Sequence, residues 1–328
     1  MKYNSALNLL ETEIAIKFIK DTFEKELAKA LKLTRVSAPL FVVPETGLND
    51  NLNGYERAVR FDVADIGKDV EIVQSLAKWK RNALAKYGFK AETGLYTDMN
   101  AIRRDETLDA IHSVYVDQWD WEKIITEEDR KLTYLKKTVK SIYKVVKKLS
   151  KAVSAKYSTI KHSLPDEITF ISTKQLEKDY PALSRKEREN AVAKKYGAVF
   201  IYQIGWPLSD GMPHDGRAAD YDDWKLNGDI LLWYDVLGIA LEISSMGVRV
   251  NSESLVKQLK KKKELHKLEN PYCKDIIDGK LPLTIGGGIG QSRLCMFFLK
   301  KAHIGEVQSS VWSEECVKEN ANKGIYLL

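Results

Sequence analysis

Cysteine is scarce in this chain: Cys273, Cys295 and Cys316 are the only three among 328 residues. An odd count with no CxxC or Cys/His spacing excludes a disulfide framework and any recognisable zinc site. Long apolar runs are missing too. No stretch reaches the roughly 18 consecutive apolar residues of a membrane-spanning helix, so a membrane protein is excluded and no membrane partner is expected. There is no low-complexity tract, no Pro/Gly/Ser-rich linker and no repeat at a solenoid period, and prolines number only 8. One domain over 1–328 is therefore expected in place of two tethered ones. Residues 1–13 carry Glu11 and Glu13 among leucines and lack a cationic start followed by an apolar run. They do not read as a signal peptide, and the expected location is cytoplasmic.

What is abundant is charge. Lys and Arg number 52 against 46 Asp and Glu, a net +6, which invites a nucleic-acid reading. The positions of the lysines argue against it. Leu132, Leu135, Val139, Ile142, Val146, Leu149 and Val153 recur at spacings of three and four with lysines between them, so 131–156 is expected to be one long amphipathic helix with a solvated basic face. The lysines at 260–263 read as another exposed helix surface, without the interleaved aromatics of a single-strand groove. No nucleic-acid partner is expected, RNA contact being the less favoured alternative.

Helix and strand signals are interleaved. An amphipathic helix is expected over 5–31, followed by a β-rich segment at 36–43 interrupted by Pro39. Residues 70–74 read as a strand, and Ser75 as the cap of a helix ended by Gly88. Ser184 with Glu187 forms a capping box for a helix ending at Gly197, with a buried strand over 198–204. Segments 95–103, 111–122, 230–234 and 239–244 look antiparallel, so the class is α+β, an antiparallel-type sheet flanked by helices.

Four places break local rules, and chemistry is sought there. Lys78, Lys80 and Arg81 crowd the first turns of a helix, where the macrodipole disfavours cations; the bland reading is a solvated helix start. In 112–122, alternation puts Gln118 and Asp120 on one face with His112, Val114 and Val116; the bland reading is a polar strand end. A hairpin about Val236 and Leu237 sets Leu231 opposite Glu242, with Asp229 on the same face. Two carboxylates there need a cation between them, which suggests Mg²⁺. Last, Gly286-Gly287-Gly288-Ile289-Gly290-Gln291-Ser292-Arg293 reads as a glycine-rich turn offering N–H groups to phosphate, with Arg293 at a helix head. It is neither a Walker A loop nor a dinucleotide fingerprint.

Taken together, Asp50-Asn-Leu-Asn-Gly54, Ser75-Leu-Ala-Lys-Trp-Lys-Arg81, Gly94-Leu-Tyr-Thr97, His112-Ser-Val-Tyr-Val-Asp-Gln-Trp-Asp-Trp121, Leu208-Ser-Asp-Gly211, Tyr221-Asp-Asp-Trp224, Leu226-Asn-Gly-Asp229, Ser244-Ser-Met-Gly247 and the glycine segment through Arg293 carry a resemblance over nearly the whole chain. The sequence resembles the ammonia-dependent asparagine synthetases, the aspartate–ammonia ligases related to class II aminoacyl-tRNA synthetases. It departs from their pattern at Gln74, where a histidine is frequent, and in a shorter stretch between Trp224 and Leu226.

The resemblance implies a class II-like catalytic fold with a seven-stranded antiparallel-type sheet. It also implies a homodimer built through 5–31 and 36–43, with Pro39 closing the first class II signature, Arg103 in the second and 286–293 as the third. The implied reaction joins ATP and L-aspartate as β-aspartyl-AMP with release of pyrophosphate, after which ammonia displaces AMP to give asparagine. Asp50, Lys80, Gln118 and Asp120 would hold the amino and α-carboxyl ends of aspartate, with Ser244 and Ser245 also on the substrate. Arg103, Arg217, Gly288, Gly290 and Arg293 would hold ATP, Arg103 and Arg293 serving catalysis by offsetting phosphate charge. Asp229 and Glu242 would carry Mg²⁺. Asp222 would bind ammonium and accept its proton, the bland reading being a solvated acidic turn.

Free ammonia is the expected nitrogen donor, because no cysteine reads as an activated thiolate. Cys273 is placed in a turn, Cys295 within an apolar helix, and Cys316 after two glutamates. The alternatives are a truncated aspartyl- or asparaginyl-tRNA synthetase, disfavoured by helical residues where an anticodon-binding barrel would precede Asp50, and a dinucleotide oxidoreductase, which lacks the fingerprint.

Overall fold

The computed structural model describes residues 3–50, 52 and 56–328. Asn51, Asn53 and Gly54 of the Asp50 motif lie outside the described residues, as do Met1, Lys2 and Tyr55. In chain order the strands are β1 (Leu33–Arg35), β2 (Phe41–Val42), β3 (Arg60–Val63), β4 (Lys68–Ile72), β5 (Gly94–Ile102), β6 (Tyr115–Ile124), β7 (Thr169–Ser172), β8 (Ala198–Tyr202), β9 (Asp222–Tyr234), β10 (Ile239–Arg249) and β11 (Thr284–Gly290). The helices are α1 (Leu9–Leu31), α2 (Ala77–Lys86), α3 (Leu132–Lys156), α4 (Thr173–Asp179), α5 (Arg185–Tyr196), α6 (Ser252–Lys262), α7 (Pro271–Ile277), α8 (Gln291–Leu299) and α9 (Glu314–Asn322). No helix among the described residues is long and apolar enough to cross a membrane.

The α+β expectation holds, with a correction to the sheet. It has eight strands, ordered β1-β5-β6-β11-β10-β9-β8-β7, and is antiparallel except for a parallel pair at each edge, β1 with β5 and β7 with β8. Strands β2, β4 and β3 form a separate antiparallel sheet. The segment 36–43 is therefore not one strand: β1 ends at Arg35, β2 occupies only Phe41–Val42, and the two join different sheets. The first helix begins at Leu9, four residues later than expected from 5–31, because Asn8 and Glu11 close a capping box there.

Alternation along the central strands creates two unlike faces. Trp119, Trp121, Met246, Val248, Ile285 and Ile289 share one core with Phe23 of α1, Ile142 of α3 and Phe298 of α8. Each such large side chain contributes roughly 1.5–3 kcal/mol by leaving water. The α3 spacing read from the sequence is its buried stripe, Leu135 through Val153. Gln118, Asp120 and Glu122 are thereby turned to the opposite face.

The hairpin register is as expected, with Glu242 opposite Leu231 and Gly238 taking φ +66 in the turn. A β-bulge at Ile243 then shifts the pairing by one, so that Ser245 faces Asp229. The bulge keeps Ile243 in the core while both Ser244 and Ser245 reach the polar side.

The glycine segment is not a turn. Residues 284–290 are the strand β11, paired on both sides to β6 and β10. Its glycines make room for neighbours: a Cβ on Gly288 would stand 2.1 Å from Gln118 Oε1, and one on Gly286 1.9 Å from Glu122 Oε2 and 2.7 Å from Arg249 Nη2. Glu122 and Arg249 form a buried ion pair at 2.7 Å, so an alanine at 286 must break it. Gly286→Ala is expected to destabilise the fold by about 3–5 kcal/mol, read as a lowered urea midpoint. An unchanged midpoint would contradict this packing.

Candidate active site

A cleft of about 220 Å³ opens on the polar face, where β6, β11 and β10 meet α2. Every residue singled out for substrate, nucleotide or catalysis lines it: Asp50, Lys80, Arg103, Gln118, Asp120, Arg217, Asp222, Ser244, Ser245, Gly288, Gly290 and Arg293. Of the two metal candidates Glu242 lines it, while Asp229 stands behind Arg217 and is bonded to that guanidinium.

The crowded cations of α2 are not a solvated helix start. Lys78, Lys80 and Arg81 are all buried. Arg81 donates to the carbonyls of Pro282 (2.8 Å) and Val250 (2.8 Å), and Lys78 Nζ lies 2.6 Å from Asp220 Oδ2. Lys80 Nζ meets Asp120 Oδ2 at 2.9 Å and donates to the Gly287 carbonyl at 3.0 Å. Burial lowers the proton affinity of Lys80 against the pull of Asp120. Asp120 Oδ1, 2.8 Å from where a Cβ on Gly288 would stand, has no hydrogen-bond partner among the described residues.

Asp222 is not in a solvated acidic turn either. It opens β9 and is buried, paired with Arg249, which also grips Glu122 through Nε (2.9 and 3.1 Å) and Nη2 (2.7 Å). Thr284 Oγ1 donates to Glu122 at 2.7 Å. Burial alone would raise Glu122, but Arg249 and Thr284 hold it below the usual carboxylate range. Asp222 has the single bond to Arg249, and burial leaves it raised.

Burial likewise pushes Asp50 up to about 6, against the nearby Lys78. Gln74, at the position departing from the family pattern, steadies Asp50 by donating from Nε2 to its carbonyl at 3.0 Å.

The arginines divide into two kinds. Arg249 and Arg217 are each held by two carboxylates. Among the described residues Arg103 and Arg293 hydrogen-bond only to carbonyls: Arg103 reaches Gln74 O at 3.5 Å with its buried Nε unpartnered, and Arg293 reaches Glu242 O at 3.2 Å and Ile111 O at 3.4 Å. Two guanidiniums without carboxylates in one cleft are seats for an anionic ligand. The amides at the head of α8 are less available than the turn reading implied, because Ser292 N already donates to Asp117 Oδ1 at 3.0 Å.

Asp229 and Glu242 do share a face. Burial raises Asp229, and the like charge of Glu242 adds to that against the pull of Arg217. The cation between them is thus partly supplied by Arg217. A divalent ion still fits, since Asp229 Oδ1 is buried with no hydrogen-bond partner among the described residues. No cluster of three metal-binding side chains occurs among the described residues, so such an ion would take its other ligands from phosphate and water, as Mg²⁺ commonly does.

Several residues escaped the sequence reading. Glu122 was recoverable, because alternation continues Gln118 and Asp120 onto it. Asp117 and Tyr221 lie within quoted motifs and Arg249 two residues past one, none with a signal of its own, and Gln308, bonded to Ser292 Oγ at 3.1 Å, lay outside them all. The cysteines need one correction each way. Cys273 lies in α7, not a turn, and burial pushes it and Cys295 up to about 12. Cys316 does sit in a first helical turn, 4.0 Å from His303 Nε2, but it does not line the cleft.

Comparison with known proteins sets this geometry in context. The family model described as "AsnA: Aspartate-ammonia ligase" matches residues 10–324. The aspartate–ammonia ligase of Bacillus cereus (strain G9842) is 59% identical over 322 residues, covering 97% of this chain and 98% of that protein, and that of Bacillus cytotoxicus is equally similar. Among solved structures, the asparaginyl-tRNA synthetase of Pyrococcus horikoshii complexed with asparaginyl-adenylate superposes with a TM-score of 0.67 at 16% identity, over 90% of this chain and 68% of that one. The Entamoeba histolytica enzyme in complex with asparaginyl-adenylate gives 0.65 at 14%, over 92% and 66%. At these identities the likeness shows the fold, a class II synthetase catalytic fold.

The buried Lys78–Asp220 pair supplies a check on the site's architecture. Lys78→Met would strand Asp220 in the interior and is expected to cost about 3 kcal/mol or more, measured by urea unfolding. A loss below about 1 kcal/mol, the range of a surface pair, would contradict the burial.

Proposed function

The chain belongs to the aspartate–ammonia ligase family, and from that premise we propose how its residues divide the work of making asparagine. The reaction is ATP-dependent: L-aspartate and ATP give β-aspartyl-AMP and pyrophosphate, and ammonia then releases asparagine and AMP. The observation that carries the assignment of roles is the contrast between paired and unpaired guanidiniums in the cleft.

Aspartate lies over β11. Its α-carboxylate meets Lys80, with Arg249 beneath, and its ammonium group meets the free oxygen of Asp120, Gln118 and Asp50, while Ser244 and Ser245 line the side wall. This leaves the side-chain carboxylate directed at the α-phosphate, so that positioning supplies much of the rate. Arg103 and Arg293 take the phosphate charge that grows as the new bond forms, and both are preorganised by carbonyls that do not neutralise them. Arg217 serves the nucleotide from the opposite wall. Gly288 and Gly290 contribute a flat strand surface that ligand atoms can approach closely, not a phosphate loop.

Asp229 and Glu242 would hold Mg²⁺, which when bound offsets triphosphate charge and orients the leaving pyrophosphate. Asp222, raised by burial and anchored by Arg249, binds ammonium and accepts its proton before attack. The cleft draws its lining from residues between Asp50 and Gln308, which supports one catalytic unit over 1–328.

A homodimer completes the proposal. The main apolar face of α1 is covered within the chain, leaving Leu9, Leu10 and Ile14 exposed. Phe41 and Phe61 meet edge to face at 5.4 Å and remain exposed on the small sheet. These surfaces support pairing of two copies through α1 and the 36–43 segment.

Arg103→Ala is expected to lower aspartate-dependent pyrophosphate release by about 10³-fold with the fold intact. A folded variant keeping most of that activity would remove Arg103 from its role. Sedimentation at micromolar concentration should show a dimer, and a monomer there would refute the pairing.

A further inference from the structure

We propose that Asp117 and Lys20 are positioning residues for ATP: together they fix the head of α8, and through it Arg293, before the nucleotide arrives. The proposal rests on the reading of Arg293 as a seat for phosphate.

Helix α8 opens without a cap of its own. Gly290 stands at the capping position with no side chain to offer, and the first turn holds no acid. It does hold Arg293, a cation at the end where the helix dipole disfavours one. The missing cap comes from β6. Asp117 Oδ1 accepts the Ser292 amide at 3.0 Å. That is the second amide of the helix, one that a capping side chain ordinarily takes. The same oxygen accepts from Gln308 Nε2 at 3.3 Å, and that amide also donates to Ser292 Oγ at 3.1 Å. Asp117 Oδ2 meets Lys20 Nζ of α1 at 3.0 Å. Asp117 borders the cleft, yet both its oxygens are engaged by protein groups, so it acts through what it holds.

Arg293 follows Ser292 directly. Its guanidinium makes only long bonds to carbonyls, at 3.2 and 3.4 Å, which leaves its placement to the backbone beneath it. Lys20 balances the charge of the cap. Asp117 is 6% exposed, and a carboxylate buried among neutral donors alone is costly, while the ionised form makes the stronger bond to an amide. Burial alone would lower Lys20, but the Asp117 charge holds it raised. A second tether at the helix head is weaker. Gln291 Nε2 donates to Asp98 Oδ1 at 3.1 Å, and Asp98 Oδ2 meets Arg35 at 3.1 Å. That ion pair is exposed and contributes little, so the weight falls on Asp117.

In aspartate-dependent pyrophosphate release, Asp117→Ala is expected to raise the KM for ATP roughly tenfold, as for loss of a helix cap, with the KM for aspartate unchanged. A purely structural role would lower the urea midpoint and the active fraction and leave both KM values alone. Lys20→Met should raise the KM for ATP about threefold, and Lys20→Arg should keep it at the wild-type value. In the Asp117→Ala background Lys20→Met should add nothing, because the lysine acts through that carboxylate. Lys20 is only half-buried, so Lys20→Met decides the matter if Asp117→Ala does not fold. An ATP KM unchanged in either folded single variant, an aspartate KM that rises as much, or fully additive losses in the double variant would overturn the proposal. Failure of the underlying reading shows separately, as an unchanged KM for ATP in Arg293→Ala.

Discussion

Arg249 is the charge on which the floor of the site depends. It rises from the end of β10, is held by Glu122 of β6 across the intervening β11, and reaches Asp222 at the start of β9. Removing three charges from water is expensive, and an apolar replacement of such a network is often neutral or stabilising. The network's contribution here is position: one guanidinium ties three strands together on the face that carries the chemistry. The glycines of β11 follow from it, because Glu122 lies over Gly286 and Gln118 over Gly288 with no room for a Cβ. The bulge at Ile243 belongs to the same solution, since it keeps the apolar register of β10 in the core while bringing both serines to the polar side.

From this floor the electrostatics sort themselves. Cations that position protein groups are neutralised by carboxylates, as with Arg249 and Lys78. Cations left for a ligand are steadied by carbonyls, as with Arg103 and Arg293. A site that must bring an aspartate side chain against a triphosphate needs the second kind, because a guanidinium already paired with a carboxylate has little left to offer a developing anion. The tRNA synthetases share this fold at 14–16% identity, and a common sheet therefore says little about which acceptor is used.

Local periodicity made much of the fold legible. The α3 stripe, the Ser184 capping box and the 230–242 hairpin all follow from patterns within a few residues. The residues proposed for substrate and nucleotide line one cleft, whereas Asp229 and the 94–97 and 208–211 motifs do not. Long-range pairing was less legible. A run of glycines next to a helix reads as a phosphate turn, and only the flanking strands show that 284–290 is the middle of a sheet. Lys78, Lys80 and Arg81 look solvated because the acids and carbonyls that satisfy them lie 40 to 207 positions away in sequence. Gln308 reaches the site only through tertiary packing against Ser292 and Asp117.

The most direct measurement is a crystal structure with a non-hydrolysable analogue of β-aspartyl-adenylate. The amino-acid moiety should lie across Gly287 and Gly288, its α-carboxylate against Lys80 and Arg249 and its ammonium group against Asp120, with the phosphate between Arg103 and Arg293. The Glu122–Arg249–Asp222 bonds should be unchanged by the ligand. A ligand seated off β11, or an Arg249 that leaves Glu122 to pair with the phosphate, would contradict a floor fixed in advance of binding.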